Sequence, residues 1–308
     1  MTGPLSRVAR QVGDLDLVEL LAGLAPSDLQ SVMLEVYRRQ AAAVSPAELL
    51  TRYQDSRFCR PAGVGPAALS AFEASAWSLL PEGYEAIELS PLCPLGACAA
   101  VATVDQNKIV STVRNVEVVA DTTNVLALES ALQRRAMLAD PARRSLPVGL
   151  AACQPQVRAQ ALSQPRSWAH FRLLAVTESG RDRGGFTFEA AALRRQIAYF
   201  VSLIGQLRRD WTVEVAFTDL AGRPRVLEQA VAEPIGDQFP GVRVRMDPER
   251  VSGRGYYLDA CYKLFAVDAD GDRVELGDGG CTVWTRRLLS DDKERLVIGG
   301  LGVDRLLM

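Results

Sequence analysis

The most informative pattern in this chain is Gly299-Gly300-Leu301-Gly302-Val303-Asp304-Arg305-Leu306. It directly follows the apolar run Leu296-Val297-Ile298, so we expect a strand that gives way through glycines to the start of a helix. Glycines let a ligand approach the backbone closely, and a helix N-terminus presents positive potential to an anion. Because Gly-Gly-x-Gly also occurs in ordinary tight turns, the stretch gains meaning only from what lies upstream.

The composition is that of a soluble globular protein and gives no support for nucleic-acid binding. Of the 308 residues, 48% are hydrophobic and 23% are charged. The formal net charge is −2, whereas phosphate backbones are bound by clustered positive charge. A nucleic-acid partner is therefore doubtful.

Cysteine and histidine usage argues against several kinds of site. The single histidine, His170, is the only imidazole available for acid-base or nucleophilic catalysis, and it lies in a strand-like run. The six cysteines form no Cys-x-x-Cys pair. A zinc site that includes Cys93 and Cys98 stays open as an alternative, but buried reduced thiols are the favoured interpretation.

Nothing in the sequence indicates a membrane or an exported protein. No apolar run reaches the eighteen or so residues that cross a bilayer. The first residues, Met1–Pro4, lack the charged start and apolar core of a signal peptide. We therefore expect a cytoplasmic chain with no membrane partner.

Residues 1–62 are predicted to form a small helical module, and residues 63–308 the main domain. Apolar residues recur at helical spacing between residues 14 and 56, and Ser45-Pro46 is a favoured helix start. The Pro- and Gly-rich segment at 60–66 then interrupts the pattern and marks the boundary.

The main domain is predicted to be α+β, with an antiparallel sheet flanked by helices. A helix over 67–80 precedes a strand over 84–91, and further helices are predicted over 124–138 and 194–209. The other predicted strands cover 109–119, 167–177, 184–193, 212–218, 256–267 and 273–285. Strands that come in groups with helices between the groups favour α+β over a parallel doubly wound sheet.

One predicted hairpin has the composition of a phosphate-binding element. Its first strand carries Arg172, its polar loop carries Arg183, and Phe186 opens the returning strand. The planar guanidinium of arginine donates two hydrogen bonds to phosphate oxygens and stays charged. The alternative is a surface hairpin whose arginines pair with loop carboxylates, at about 0–1 kcal/mol a pair.

The order of these elements resembles the catalytic core of the class II aminoacyl-tRNA synthetases. Helix, strand and proline over 66–91 resemble motif 1, the strand and loop that follow His170 resemble motif 2, and the Gly-x-Gly-x-x-Arg of 300–305 resembles motif 3. Gly253-Arg254-Gly255-Tyr256-Tyr257 and the later Gly279-Gly280 resemble the histidyl branch. The resemblance covers residues 66–308 and implies a homodimer formed through motif 1.

The resemblance also implies ATP and Mg²⁺ as cofactors. Arg172 would bind the α-phosphate, and Phe186 and Arg305 would cover the two faces of adenine. Glu275 and Asp278 would hold Mg²⁺ against the phosphates. The implied ATP-binding set is Arg172, Arg183, Phe186, Glu275, Asp278 and Arg305.

A second implied group would bind a small-molecule substrate. Asp121 and Thr123 would receive a substrate amino group, and Tyr256 and Tyr257 would line the same site. Arg254 would aid activation, so that the implied catalytic residues are Arg172, Arg254 and Arg305.

Departures from the family pattern leave the function open between two classes. Leu174 stands where motif 2 has glutamate, Val119 and Cys281 replace arginines, and Lys263 replaces a strand glutamate. Because Met308 is the last residue, we expect a paralogue without the anticodon-binding domain.

The first hypothesis is an ATP-dependent ligase that activates an amino acid or related carboxylate as an adenylate for a non-standard acceptor, with tRNA a doubtful one. The alternative is a non-catalytic subunit similar to the regulatory subunit of the histidine-biosynthesis ATP phosphoribosyltransferase, which implies a protein partner. Whether the chain is an enzyme at all stays uncertain.

Overall fold

A computed structural model describes residues 3–13, 15–160, 168–268 and 270–308. Predictions that touch residues 14 and 167 lie outside the described residues at those positions. The helices are α1 Pro4–Val12, α2 Leu17–Ala22, α3 Pro26–Ala42, α4 Pro46–Asp55, α5 Pro66–Ser78, α6 Ala97–Ala102, α7 Thr122–Leu138, α8 Thr187–Leu207, α9 Pro224–Leu227, α10 Glu233–Gln238, α11 Trp284–Leu289 and α12 Val303–Leu307. The strands are β1 Tyr84–Ala86, β2 Leu92–Pro94, β3 Val116–Val118, β4 Val148–Val157, β5 His170–Arg181, β6 Thr212–Asp219, β7 Arg243–Met246, β8 Leu258–Val267, β9 Arg273–Thr282 and β10 Glu294–Gly302.

Eight of the described strands form one mixed, mainly antiparallel sheet in the order β1-β4-β5-β10-β9-β8-β6-β7. The inner pairs are all antiparallel, and only the edge strands β1 and β7 run parallel to their neighbours. Strand β10 therefore lies in the middle of the sheet, between β5 and β9. Its glycines end at α12, so the predicted strand, glycine and helix order is confirmed.

The two faces of the sheet differ. One face, called the helix face below, packs against α5 and α8 in the largest apolar cluster, to which Phe72, Phe200 and Tyr262 belong. The other face packs against α7 through Leu126 and Leu150. It is only partly covered, and the part left open forms a cavity.

Tyr262 fixes the centre of the helix face by occupying the space that two glycines leave. An added Cβ at Gly279 or at Gly299 would lie 2.5 Å from the Tyr262 hydroxyl oxygen. Side chains cannot approach so closely, so these two glycines are explained by packing inside the core.

Three strand predictions are wrong in part. The segment 184–193 begins no strand, because α8 starts at Thr187 after Phe186 in a left-handed conformation with φ 66°. The predicted strand 109–119 is reduced to β3, and the end of the predicted strand 273–285 belongs to α11. Strand β4, which the sequence analysis missed, is buried along most of its length.

The N-terminal helices α2, α3 and α4 confirm the helical pattern, and α1 precedes them. None of the residues in these four helices is buried. The Arg57 guanidinium donates hydrogen bonds to the carbonyl oxygens of Ala159 and Gln160, and so joins the segment after α4 to the end of β4. The division at residue 62 stays a prediction. No described helix is long and apolar enough to cross a membrane.

A buried ion pair ties α7 to β10. The Arg134 Nε lies 2.8 Å from the Glu294 Oε2, and both side chains are fully buried. Two more hydrogen bonds run from the Arg134 guanidinium to the carbonyl oxygens of Arg144 and Leu146. These two hydrogen bonds hold the connection before β4 against α7.

Candidate functional site

A cavity of about 1010 Å³ lies over the open face of the sheet. Its floor is formed by β5, β10, β9 and β8, and its walls by the N-terminus of α7 and the loop before β8. Gly300 and Gly302 contribute floor without side chains, while Phe171 and Leu173 face inward from β5. The volume suits a nucleotide or a comparable small molecule.

The cavity brings together most of the site residues that the sequence analysis singled out. They are Asp121, Thr123, Arg254, Tyr256, Tyr257, Glu275, Asp278 and Arg305. These residues come from four separate parts of the chain, and the fold brings them around one cavity.

Arg172 does not join them, so the expected convergence of Arg172 and Arg305 is not found. Successive side chains of a strand point to opposite faces, and Phe171 and Leu173 take the cavity face. The Arg172 guanidinium instead lies 2.9 Å from the Glu73 carboxylate of α5 and 3.0 Å from the Cys153 carbonyl oxygen. Its alternate neighbour Leu174 is buried in the core, so this departure from the family pattern does not affect the cavity.

The loop after β5 also lies away from the large cavity. Phe186 caps α8 and lines a separate, smaller cavity of about 330 Å³. Arg183 lines neither cavity. The sequence analysis expected this loop to bind phosphate between two strands of a hairpin. The second strand is absent, because α8 begins at Thr187.

Two residues that the sequence analysis missed, Arg158 and Phe171, line the large cavity, which Arg172 and Phe186 do not. Phe171 lines the cavity, and the Arg158 guanidinium carbon lies 5.1 Å from its ring centroid. The Arg158 Nε donates a 3.0 Å hydrogen bond to the Ala120 carbonyl oxygen, which directs the side chain over the cavity. The alternation of side chains along β5 could have placed Phe171 on the cavity face. Arg158 could not be placed there, because it directly follows β4 and that strand was not predicted.

The N-terminus of α7 carries a polar cluster around Asp121. The Asp121 Oδ1 accepts hydrogen bonds from the Thr123 backbone N–H at 3.0 Å and from its hydroxyl at 2.7 Å. The Tyr256 hydroxyl donates to the other oxygen, Oδ2, at 3.1 Å, and an Arg158 nitrogen lies 3.6 Å from it. The carboxylate is thus held in one orientation at the cavity wall.

Tyr256 and Tyr257 line the cavity from the loop before β8 and are held by aromatic packing. Their ring centroids lie 4.9 Å apart at a steep angle, and Trp284 lies 5.2 Å from the ring of Tyr256. Burial raises the pKa of both phenols well above 10, so they remain neutral hydrogen-bond donors over the physiological range.

The acidic residues of the floor are paired with bases. The Lys263 Nζ lies 2.7 Å from the Glu275 Oε2, and an Arg250 nitrogen lies 2.9 Å from the Asp278 Oδ2. Burial raises the pKa of Asp278 above its usual value, and Arg250 opposes this shift. The Arg305 Nη1 donates a 2.9 Å hydrogen bond to the Glu275 carbonyl oxygen, which brings α12 against β9.

These carboxylates fit a resident Mg²⁺ poorly. Each already has a cation within hydrogen-bond distance, whereas Mg²⁺ requires oxygen ligands in near-octahedral geometry. In the part of the chain that the structure describes, no group of three or more His, Cys, Asp or Glu side chains could hold a metal ion. The same finding disfavours a zinc site at Cys93 and Cys98, which are buried thiols.

Comparison with known proteins supports the fold through structure alone. No protein-family model and no curated sequence matches the chain. Among solved structures, the chain is similar to S. aureus histidyl-tRNA synthetase, with a TM-score of 0.57, 15% identity, and coverage of 80% of this chain and 67% of that one. The chain has the class II synthetase-like fold.

Two further structures with this fold are similar. One is described as an ATP phosphoribosyltransferase regulatory subunit/histidyl-tRNA synthetase from Bacillus halodurans C, with a TM-score of 0.58, 15% identity and coverage of 82% of both chains. The other is a putative threonyl-tRNA synthetase from Aeropyrum pernix, with a TM-score of 0.56, 12% identity, and coverage of 78% of this chain and 58% of that one. Proteins described as synthetases and as a regulatory subunit therefore share the class II synthetase-like fold.

Proposed function

We propose that the large cavity binds an adenine nucleotide and that the chain uses it to activate an amino acid or related carboxylate as an adenylate. The observation that carries this proposal is the Phe171 ring in the cavity, with the Arg158 guanidinium 5.1 Å from its centroid. An aromatic face in a cavity is a stacking platform for a base, and Arg305 lines the same space.

The charge of the cavity lining supports a phosphate-bearing ligand. Six basic and five acidic side chains line it, and three of the acidic ones are already paired with bases. Arg158, beside the N-terminus of α7, and Arg254, in the loop before β8, both line the cavity and can bind phosphate oxygens through their planar guanidinium groups. The glycine floor at Gly300 and Gly302 leaves room for the ligand above the sheet.

The cluster at α7 supports a second, smaller ligand beside the nucleotide. Asp121 is oriented by Thr123 and Tyr256, and it lies in the same cavity as the proposed phosphate-binding arginines. A fixed carboxylate favours an ammonium group, so an amino acid would place its carboxylate toward the arginines. This is the arrangement that formation of an adenylate requires.

A non-catalytic regulatory subunit is the second candidate. The similar structure from Bacillus halodurans C, whose description includes a regulatory subunit of ATP phosphoribosyltransferase, is matched over 82% of its own length. The paired carboxylates of the cavity floor also favour binding over catalysis. In this role the chain would bind the same ligands and transmit their presence to a partner enzyme.

Calorimetric titration with ATP tests the binding proposal. Phe171→Ala should weaken ATP binding about tenfold or more, because base stacking on an aromatic ring contributes about 1–3 kcal/mol. Arg172→Ala is the matched control, since its side chain binds Glu73 on the other face, and it should leave the affinity unchanged. Equal losses in both variants would contradict the assignment of the cavity.

Pyrophosphate exchange across a panel of amino acids separates the two functions. Exchange that depends on one amino acid supports adenylate formation. If ATP binds but no amino acid supports exchange, the enzymatic proposal fails and the regulatory one stands. Co-purification of a phosphoribosyltransferase with the chain would then support the second candidate directly.

A further inference from the structure

The two acidic residues of the cavity floor are held by cations that belong to the protein framework. The Lys263 side chain is 19% exposed and its partner Glu275 is 40% exposed. The Arg250 side chain is 3% exposed and its partner Asp278 is 42% exposed. In each pair the base is the more deeply buried member, so the carboxylates face the ligand space with their charge already balanced.

Arg250 cannot leave its carboxylate without breaking other bonds. Its Nε donates 2.9 Å to the Ser252 carbonyl oxygen, and its Nη1 donates 3.0 Å to the Tyr262 carbonyl oxygen. The guanidinium carbon also lies 5.5 Å from the Tyr257 ring centroid. A metal ion that approached Asp278 would therefore meet a fixed positive charge.

Lys263 has a similar effect on the second carboxylate. Its ammonium group lies 2.7 Å from the Glu275 Oε2 and projects from the central part of β8. A divalent cation bound to both Glu275 and Asp278 would lie within a few ångströms of two like charges, and this repulsion is strong where water is partly excluded. Displacing the bases would leave them unpaired in the floor.

We propose that the cavity binds its nucleotide without a divalent metal ion, with Lys263 and Arg250 as resident cations in place of the metal. The inference rests on the proposed nucleotide binding. Arg158 and Arg254 then supply the positive charge that the phosphates require, while Lys263 neutralises Glu275 and Arg250 acts as a positioning residue that neutralises Asp278.

The first test measures Mn²⁺ binding alone by electron paramagnetic resonance, with no nucleotide present. The wild-type chain should bind no Mn²⁺ more tightly than about 1 mM, the weak end of carboxylate cation sites. A tighter site that Glu275→Gln abolishes would overturn the inference. Because this measurement involves no ATP, it remains decisive even if the proposed nucleotide binding fails.

The second test compares the ATP affinity in excess Mg²⁺ with the ATP affinity in EDTA, again by calorimetry. The affinity in EDTA should be no more than about threefold weaker than in Mg²⁺. A larger loss in EDTA would overturn the inference while supporting the proposed function. No binding in either buffer would overturn the proposed function and with it the nucleotide part of this inference.

A charge reversal provides the third test. Lys263→Glu should create a Mn²⁺ site, because it removes one resident cation and adds a third carboxylate beside Glu275 and Asp278. Arg114→Glu, at an exposed base outside the cavity, is the matched control and should create none. If the folded Lys263→Glu variant binds no Mn²⁺, Lys263 is not what prevents metal binding at Glu275 and Asp278, and the inference is wrong. Circular dichroism confirms the fold of both variants.

Discussion

Phe171 and Arg172 are adjacent in the chain, yet they act on opposite faces of the sheet. The strand period of two residues gives Phe171 to the cavity and Arg172 to the α5 carboxylate Glu73. The guanidinium beside the proposed nucleotide therefore comes from Arg158, at the end of the neighbouring strand β4. Removing one of these side chains at a time should therefore separate its contribution to ATP binding from its contribution to stability.

Arg158→Ala should weaken ATP binding about tenfold or more, because a hydrogen bond to a charged group contributes about 1.5–3 kcal/mol. The unfolding midpoint should change little, since the side chain is partly exposed and its ion pair with Asp121 is long at 3.6 Å. Calorimetry and urea unfolding measure the two effects. Unchanged ATP affinity would remove Arg158 from the binding site.

Arg134→Ala should destabilise the chain by about 3 kcal/mol, the lower end for a broken buried pair, because the buried Glu294 carboxylate then keeps only the 3.3 Å contact with Arg181. Arg135→Ala is the matched control on the same helix, since Arg135 is exposed, and it should leave the urea midpoint unchanged. A small effect of Arg134→Ala would show that the pair is not what holds α7 to β10.

Glu189 should make stability depend on pH with a defined sign. Burial raises its pKa above the usual 4.5, so the folded state binds its proton more tightly than the unfolded state does. The resulting stabilisation is complete below pH 4.5 and is lost as pH rises through the raised pKa. The unfolding free energy of wild type minus that of Glu189→Gln should therefore fall with rising pH above 4.5, as urea titrations at several pH values would measure. A difference that rises instead would reverse the assignment.

At the scale of elements, the sequence predicted those with a clear period or clear breakers. β6 and β8, helix α7 and the glycine passage from β10 to α12 were found because each pattern matches its structure. β4 was missed because it is buried along most of its length and includes Gly149 and Pro155, so neither alternation nor an uninterrupted β-branched run marks it. Without β4, the hairpin that carries Arg158 and Phe171 could not be assembled.

The start of α8 was misread for a local reason. Phe186-Thr187-Phe188-Glu189 alternates as a strand would, and four residues are too few to show the helical period. The positive φ of Phe186 instead turns the chain into α8, whose buried residues continue at helical spacing through Ile204. Phe186 lies at the smaller cavity and away from the large one, so its role in a nucleotide site stays a prediction that the large cavity does not support.

Gly279→Ala should destabilise the sheet by about 1–3 kcal/mol, because the new Cβ would lie 2.5 Å from the Tyr262 hydroxyl oxygen and from the Ile298 carbonyl oxygen. Gly205→Ala is the contrasting control: it lies in α8 with nothing within 4 Å of the new Cβ, and it should stabilise by about 0.5–1 kcal/mol. Urea unfolding measures both. Equal effects would exclude packing as the cause.

At the scale of the whole molecule, the helical N-terminal segment and the main domain are built differently. Helices α1 to α4 expose Leu20, Val36 and Leu50 and bury no residue, while the large apolar cluster begins at α5. A chain of residues 63–308 should therefore fold with the urea midpoint of the full chain. A midpoint that drops on truncation would place the boundary elsewhere.

The homodimer through α5 and β1 that the sequence resemblance implies stays a prediction. Sedimentation equilibrium should then give about twice the 33.4 kDa of one chain. A mass that stays at one chain across the concentration range would contradict a dimer.

The Tyr262 phenol between Gly279 and Gly299 has a consequence for how such chains diverge. Packing on the helix face requires both glycines. They therefore stay under selection for folding whether or not the chain binds a ligand. A lineage that abandoned the reaction would keep them while its charged residues drifted. Conservation of these glycines in related chains would therefore indicate only that the fold is kept. Conservation of Arg158, Lys263 and Arg250 would indicate that the ligand is kept as well.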